Sequence, residues 1–334
     1  MFNDPPSEAA AIGDALCGRA TKLDIVIVNW NSGDLLGACL DALAAAAAAR
    51  DLHVIVVDNA SRDGSDAVAT APRPGLAVTL IRNAMNRGFA AACNQGAARG
   101  QSPLVLFLNP DTRVEPDTLT KAMDFLASPA GEGVGILGVK LLGEGGRTER
   151  TCARAPSPRL TLARAVALDR IAPAWVPPHF MVEWDHQDTR EVAQVMGAFL
   201  LIRRPLLAAL GGFDERFFVY YEDLDLCLRA TQNGTAVVHF AGASVWHQGQ
   251  GTTAQVKDRR LFYILRSEVL FAAKHFGTAI AVALLALQLA VQIPLRTGRA
   301  AASGAPGEWR QVLRGAGLLI RDTPRLLRRL LQRA

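Results

Sequence analysis

Asp24-Ile25-Val26-Ile27-Val28-Asn29 is an apolar, β-branched run with no polar residue inside it. A strand exposed on one face would alternate, so this pattern predicts a strand covered on both faces, as in a parallel sheet. Working outward, Leu35, Leu36, Cys39, Leu40 and Leu43 fall on one stripe at helical spacing, and Ser32 stands where an N-cap would. The alternation recurs. Residues 53–57, 77–81 and 104–108 read as three further strands, and the Ala-rich stretch 89–99 as a helix. Strands alternating with helices predict an α/β fold with a mixed, mostly parallel sheet flanked by helices. Later, 195–203 returns to a strand-like run, 217–231 reads as a loop entering a helix, and 237–240 and 244–247 as two short strands. Between them, residues 140–194 are weakly patterned and include Trp175 and Trp184. Segments of that length serve as lids or acceptor-binding loops.

Polar residues stop the apolar runs at their C-terminal ends: Asn29-Trp30-Asn31, Asp58-Asn59 and Asn109-Pro110-Asp111. Such residues also make ordinary turns. Three clusters on one sheet edge, however, coincide with the edge where open α/β sheets bind ligands. A carboxylate such as Asp111 at a strand end can hold a divalent cation against a diphosphate, because hard cations take oxygen ligands and bind phosphates through few protein groups. Downstream, the adjacent acids Glu222 and Asp223 follow Tyr220-Tyr221 and precede an apolar helix. Acids gain from the macrodipole at a helix start, the role expected of Asp225. Asp223 is expected to accept a proton from an attacking hydroxyl. His247, after a strand and before the glycine-rich 249–251, is a candidate second metal ligand, with a structural histidine as the alternative.

The 334 residues are 50% hydrophobic and 20% charged, which permits a packed core and excludes wholesale disorder. Five cysteines (Cys17, Cys39, Cys93, Cys152, Cys227) without a C-x-x-C pair exclude a disulfide scaffold or zinc ribbon and suit a reducing compartment. The first twenty residues lack a continuous apolar h-region, so the cytoplasm is the expected location. From Arg296 onward nine arginines face two acids, a net +7, and the formal +5 of the whole chain leaves −2 for residues 1–295. A nucleic-acid-binding core would carry its charge along the domain face, so no nucleic-acid partner is expected. The asymmetry suits a soluble body fastened to the inner-membrane surface. Residues 277–295 fall just short of the roughly 20 needed to span a bilayer, so a helix lying on the membrane or on the domain is favoured over a spanning one. Leu326, Leu327, Leu330 and Leu331 form an apolar stripe opposed by Arg325, Arg328, Arg329 and Arg333, the pattern of a membrane-surface anchor or a partner-docking helix, of which the anchor is the expectation. The division expected is a loose arm over 1–21, a domain over 22–255 and a helical, basic, membrane-associating region over 256–334.

Seven stretches now stand in order over residues 23–255: Ile27-Val28-Asn29-Trp30-Asn31, Val57-Asp58-Asn59-Ala60-Ser61-Arg62-Asp63-Gly64-Ser65, Asn86-Arg87-Gly88-Phe89-Ala90, Leu108-Asn109-Pro110-Asp111, Gly197-Ala198-Phe199, Tyr221-Glu222-Asp223-Leu224-Asp225 and Trp246-His247. In them the chain resembles the family 2 glycosyltransferases of GT-A fold, a Rossmann-like nucleotide-diphospho-sugar transferase architecture, and within these the rhamnosyltransferase-like branch. The resemblance implies an inverting, metal-dependent enzyme moving L-rhamnose from dTDP-L-rhamnose to a glycan or lipid-linked acceptor in bacterial cell-surface polysaccharide assembly. It implies that Asn29, Trp30 and Asn31 border the nucleotide, that Asp58 bonds the pyrimidine N3–H, and that Asn86, Gly88 and Asn94 lie near the ribose and phosphates. Asn109 and Asp111 stand at the metal-binding D-x-D, with Asp111 and His247 as ligands of Mg²⁺ or Mn²⁺. Asp223 matches the catalytic base, supported by Glu222, and Gly197, Ala198 and Tyr221 fall in the acceptor region. Asn109 departs from the Asp of many members, which removes one charge near the metal. The choice of dTDP or UDP, the linkage, and monomer or homodimer stay open. A sugar nucleotidyltransferase would carry a Gly-rich, basic triphosphate loop, which 29–33 lacks. An inactive glycan-binding or scaffolding relative would have no need of Asp111, Asp223 and His247.

Overall fold

A computed structural model describes residues 22–47, 51–249, 257–303 and 307–332. Strands β1 (Lys22–Asn29), β2 (Asp51–Asp58), β3 (Ala77–Arg82) and β4 (Leu104–Leu108) run parallel in the spatial order β3-β2-β1-β4. Every side chain of β1 after Lys22 is buried, and alternate residues serve opposite cores. Ile25 and Ile27 pack with Leu36, Leu40 and Leu43 of α1 (Leu35–Ala46), on the face also covered by α3 (Thr118–Ala127). Val26 and Val28 pack with Ala90, Cys93 and Ala97 of α2 (Phe89–Ala97) on the other. Two covered faces explain the missing polar alternation.

Beyond β4 the sheet becomes mixed. β8 (Phe199–Arg203) is antiparallel to both β4 and β6 (Val134–Leu142). β9 (Ala236–His247) is parallel to β6 and antiparallel to the short β5 (Thr112–Val114) and β7 (Arg190–Glu191). The two short strands expected over 237–247 are therefore one strand. A register shift against β6, from Phe240 to Ser244, bulges it at 241–243 and breaks its alternation. The segment 140–194 is folded, with α4 (Pro158–Ala165), α5 (Leu168–Ile171) and bridges from Ala153 to Phe180 and Gln194. Ser32 does not cap α1. Its hydroxyl donates to the Asn29 amide oxygen, and Asp34 occupies the N-cap without a side-chain bond.

Helices α6 (Arg204–Ala209) and α7 (Glu222–Gln232) cover the α2 face. The chain then continues into α8 (Lys257–His275), α9 (Thr278–Leu287), a π-helical turn (Gln288–Gln292), α10 (Ile293–Ala302) and α11 (Glu308–Leu331). These helices share a third core with Ala165, Phe217 and Leu224 of the sheet domain. Thr278–Ala302 is long and apolar enough to cross a membrane by length and composition. One face of it nevertheless packs on the protein through Ala281, Leu284, Leu285 and Ile293, and Gln288, wholly buried, donates to Leu265 O (3.2 Å) and Glu268 Oε2 (3.0 Å). The leucine stripe expected to face lipid is also largely internal: Leu326 and Leu330 lie in the third core, because α11 docks on α8 along that stripe.

Asp225 is not a helix cap but a buried ionic hub. Lys274 (2.6 Å), Arg229 (2.8 Å) and His275 (2.8 Å) converge on it, and Lys274 also reaches Asp214 (2.7 Å). Burial alone would raise the Asp225 pKa, but the bonds from His275 and Lys274 and the charge of Arg229 hold it below the usual carboxylate range. At Asp214 burial is likewise outweighed, there by the bonds from Arg216 and Lys274. Depressed carboxylates contribute stability above their unfolded pKa, near 3.8, that is lost as pH falls. Lys274→Met is therefore expected to lower unfolding free energy by about 3 kcal/mol at neutral pH. Urea denaturation at neutral pH and near pH 3 checks this, the deficit shrinking at the lower pH as the carboxyls take up protons.

Candidate active site

The ends of β1, β2 and β4 form one polar shelf. Asn29 and Asp58 lie in register, and the Asn29 amide donates to Asp58 Oδ1 (2.8 Å), Ser65 Oγ (2.9 Å) and Ser61 Oγ (3.2 Å). Asn29 is fully buried, and its amide fixes the Asp58 carboxylate. Asp58 Oδ2 accepts from Ser61 N (3.1 Å). Asn31 adopts a left-handed φ of 50°, donates its N–H to Ser61 Oγ (3.0 Å) and accepts from Arg62 N (2.7 Å). With Gly33, Arg62 and Asp63 it lines an open cavity of about 400 Å³ at this edge, and Trp30 is half-buried beside it.

The loop before α2 is built on one glycine. Gly88 has φ +89°, and a Cβ there would stand 2.5 Å from Phe218 O. Its N–H bonds Asn86 Oδ1 (2.9 Å), and Phe89 N donates to the same Phe218 carbonyl (2.6 Å), so the loop rests on the segment that precedes Asp223. Asn94 of α2 is bonded within the protein. Its amide donates to Phe213 O (2.9 Å) and Glu215 Oε1 (3.1 Å) and accepts from Phe213 N (2.8 Å), clamping the 213–215 loop.

Asp111 and His247 are brought together by pairing of β5 with β9, which sets Thr112 opposite His247. His247 Nε2 lies 3.6 Å from Asp111 Oδ1, Gln248 N donates to Asp111 O (3.0 Å), and both side chains are nearly buried. On its far side His247 Nδ1 lies 3.2 Å from Glu149 Oε2, a partner that turns Nε2 toward Asp111. One carboxylate and one imidazole fit Mg²⁺ or Mn²⁺ that takes its remaining ligands from a diphosphate and water. Among the described residues no group of three or more His, Cys, Asp or Glu forms a protein-only cage.

Asp223 sits at the start of α7 behind two strained residues, Tyr220 (φ 68°) and Tyr221 (φ 70°), the αL conformations that turn the chain into the helix. Its Oδ2 accepts from Gly197 N (3.1 Å) and its Oδ1 from Leu224 N (2.8 Å), and Gln194 bonds the same carboxylate. Ala198 in turn accepts from Asn109 N (3.1 Å). A short path of backbone bonds thus joins Asp223, through Gly197 and Ala198, to the 109–111 turn. Tyr221 points the other way, packing on Phe271 and bonding Glu268 of α8.

Burial pushes the Asp223 pKa up despite those donors. Glu222, almost wholly buried with one carboxylate oxygen unpaired, is raised well above the usual range by burial and then by the charge of Asp223. The pair is therefore asymmetric, with Glu222 pushed up further than Asp223. A raised acid favours the fold below its unfolded pKa, near 4.5, and that contribution is lost as pH rises through the folded value. Glu222→Gln is expected to raise Tm at pH 8 by about 2 °C or more, and by less at pH 5, in paired thermal melts.

The sequence pattern described as Glycosyltransferase like family 2 matches residues 21–262, most of the chain and all of this shelf. The chain belongs to that family. The transferase is 27% identical over 271 residues to the N-acetylglucosaminyl-diphospho-decaprenol L-rhamnosyltransferase of Mycobacterium tuberculosis, covering 76% of this chain and 85% of the relative. It is 28% identical over 234 residues to the O-antigen biosynthesis protein RfbC of Myxococcus xanthus, covering 68% of this chain and 17% of that protein. Among solved structures, the Pyrobaculum calidifontis mannosyltransferase in complex with GDP-Man and Mn²⁺ superposes with a TM-score of 0.53 at 20% identity, over 90% of this chain and 87% of that one. Staphylococcus aureus TarS in complex with UDP-GlcNAc does so with a TM-score of 0.52 at 15% identity, over 93% and 92%. At these identities the structural likeness concerns the fold, which is GT-A.

Glu149, Gln194 and Glu268 carry no sequence signal of their own. Glu149 lies 98 residues from the His247 it bonds, inside the weakly patterned segment, and only the folded chain brings the two together.

Proposed function

We propose that this glycosyltransferase moves a sugar, L-rhamnose from dTDP-L-rhamnose, onto a lipid-linked acceptor in cell-surface polysaccharide assembly, with inversion and with a divalent metal. The observation that carries the reading is the path of hydrogen bonds from the Asp223 carboxylate, through Gly197 and Ala198, to the 109–111 turn that carries Asp111, itself beside His247. The rhamnosyl donor and the lipid-linked acceptor are supported by the 27% identity to the mycobacterial enzyme over most of both chains.

Asp111 and His247 would hold the cation, which when bound supplies positive charge beside the departing diphosphate. The protein's own groups do the rest. Asp58, immobilised by Asn29 and Ser61, offers a fixed acceptor for a base N–H. Asp223 takes the acceptor hydroxyl's proton while the oxygen attacks the anomeric carbon and the diphosphate leaves with the bonding pair from the opposite face. Its Gly197 and Leu224 donors hold the carboxylate in place, and desolvation raises its basicity above that of an ordinary aspartate. Attack and departure on opposite faces invert the anomeric centre in one displacement.

The test supplies dTDP-L-rhamnose, UDP-GlcNAc or GDP-mannose with Mn²⁺ or EDTA and a GlcNAc-diphospho-polyprenol acceptor. The product is followed by mass spectrometry and its anomeric configuration by NMR. Metal-dependent rhamnosyl transfer with inversion is the expected result. Transfer that survives EDTA, or retention of configuration, overturns the mechanism, and preference for another donor overturns the substrate.

A further inference from the structure

Helix α11 has 24 residues, about 36 Å of length, and three distinct faces. Ala316, Leu319, Leu326 and Leu330 form the face docked on the protein. Contact there is close: a Cβ on Gly315 would stand 2.7 Å from Asp258 O of α8. A second face carries Trp309, Leu313, Ile320 and Leu331, which are 39%, 46%, 58% and 66% exposed. Helical spacing places these four within about 40° of one another, roughly a quarter turn from the docked stripe. The third face is a row of exposed arginines, Arg310, Arg314, Arg321, Arg325 and Arg328, on the far side of the apolar stripe. Among the described residues Arg314, Arg321, Arg325 and Arg328 make no ion pair, so the row's charge is not neutralised by the protein itself.

An exposed apolar stripe along one side of a basic row is what an interfacial helix presents to anionic lipid. The apolar side chains enter the boundary region, an exposed Trp is favoured at the headgroup level, and the arginine stems lie along the surface with their guanidinium groups among the phosphates. A second copy of this chain packed antiparallel on the stripe fits poorly, because that isologous contact would set one arginine row beside the other. We propose that α11 seats the enzyme on an anionic bilayer surface, with Trp309, Leu313, Ile320 and Leu331 inserted, the arginine row along the headgroups, and the Leu326–Leu330 face kept on the protein. This surface differs from the leucine stripe that the sequence pattern singles out. The inference rests on the lipid-linked acceptor reading only for its purpose, since it is tested without donor or acceptor.

The experiment is flotation of the full-length chain with vesicles of phosphatidylcholine alone or with about 30% phosphatidylglycerol, at about 0.05 M and 0.5 M salt. The chain is expected to float with anionic vesicles at low salt. Binding should fall about tenfold or more at high salt, and the tryptophan emission should shift to the blue in a way that Trp309→Phe lacks. Leu313→Asp/Ile320→Asp and Arg321→Glu/Arg325→Glu should each lose binding by about tenfold or more with an unchanged Tm, while Leu326→Asp lowers Tm. Absence of binding by the wild-type chain, or equal binding by the Leu313→Asp/Ile320→Asp variant, overturns the proposal. So does a concentration-dependent dimer in light scattering that this variant abolishes, because it would give the stripe to a second copy.

Discussion

Asp223→Asn is expected to cut glycosyl transfer by about 10²–10⁴-fold while leaving the fold and nucleoside diphosphate binding in place. The substitution keeps the shape of the side chain, and its carbonyl oxygen can still accept from one of Gly197 N and Leu224 N; the other N–H loses its acceptor, at about 1–3 kcal/mol of stability. What it removes is the capacity to take a proton. Because burial raises the Asp223 pKa, the wild-type rate should climb with pH through a limb above the 3.8 of an ordinary aspartate, the rate following the ionised fraction. That limb should be missing in the variant. Turnover and its pH profile, with calorimetric affinity for the nucleoside diphosphate, check both halves. Turnover within about tenfold of wild type would take Asp223 out of the role.

Asp111→Asn is the second large effect. With Asn109 already neutral, Asp111 supplies the one carboxylate in the 109–111 turn, and it lies 3.6 Å from His247. Its loss should lower kcat/KM by about 10²-fold or more, since metal stabilisation of a departing diphosphate amounts to several kcal/mol. A readout independent of turnover is thermal stabilisation by nucleoside diphosphate with Mn²⁺. Ligand binding adds RT ln(1 + [L]/Kd), so the metal-dependent part of the shift should vanish in the variant and the metal-independent part remain. Glu149→Gln should give a smaller loss, about tenfold or more in Mn²⁺ affinity, because it alters how His247 is held and not the ligand itself. Equal metal-dependent shifts in wild type and Asp111→Asn would place the cation elsewhere.

The sheet was legible in the sequence because its inner strands are buried on both faces. An uninterrupted apolar run such as 25–28 has few other solutions, and the polar residues that end β1, β2 and β4 mark the ligand edge for the same topological reason. What escaped the sequence was set by contacts distant along the chain. Ser32 has the chemistry of a cap but spends its hydroxyl on Asn29, which holds Asp58. Asp225 has the position of a capping acid but is claimed by Lys274 and His275, about fifty residues away. The bulge in β9 breaks a period of two and so made one strand read as two. In α11 the leucine periodicity predicts a surface anchor, but the stripe is largely buried in the protein, because periodicity cannot say whether the apolar neighbour is protein or lipid. Leu326 and Leu330 lie in the core shared with α8 and α9, while the exposed stripe beside the arginines is made of residues too widely spaced to stand out.

In the proposed reaction Asp111 and Asp223 act on one sugar from opposite sides. This arrangement is tested most directly by an experimental structure of the enzyme with Mn²⁺ and an unhydrolysable nucleoside diphosphate sugar. Anomalous scattering from the metal should appear between Asp111, His247 and the diphosphate, with the Asp223 carboxylate facing the anomeric carbon from the side away from the leaving oxygen. A sugar bound with Asp223 on the diphosphate side, or in a cavity Asp223 does not line, would contradict it.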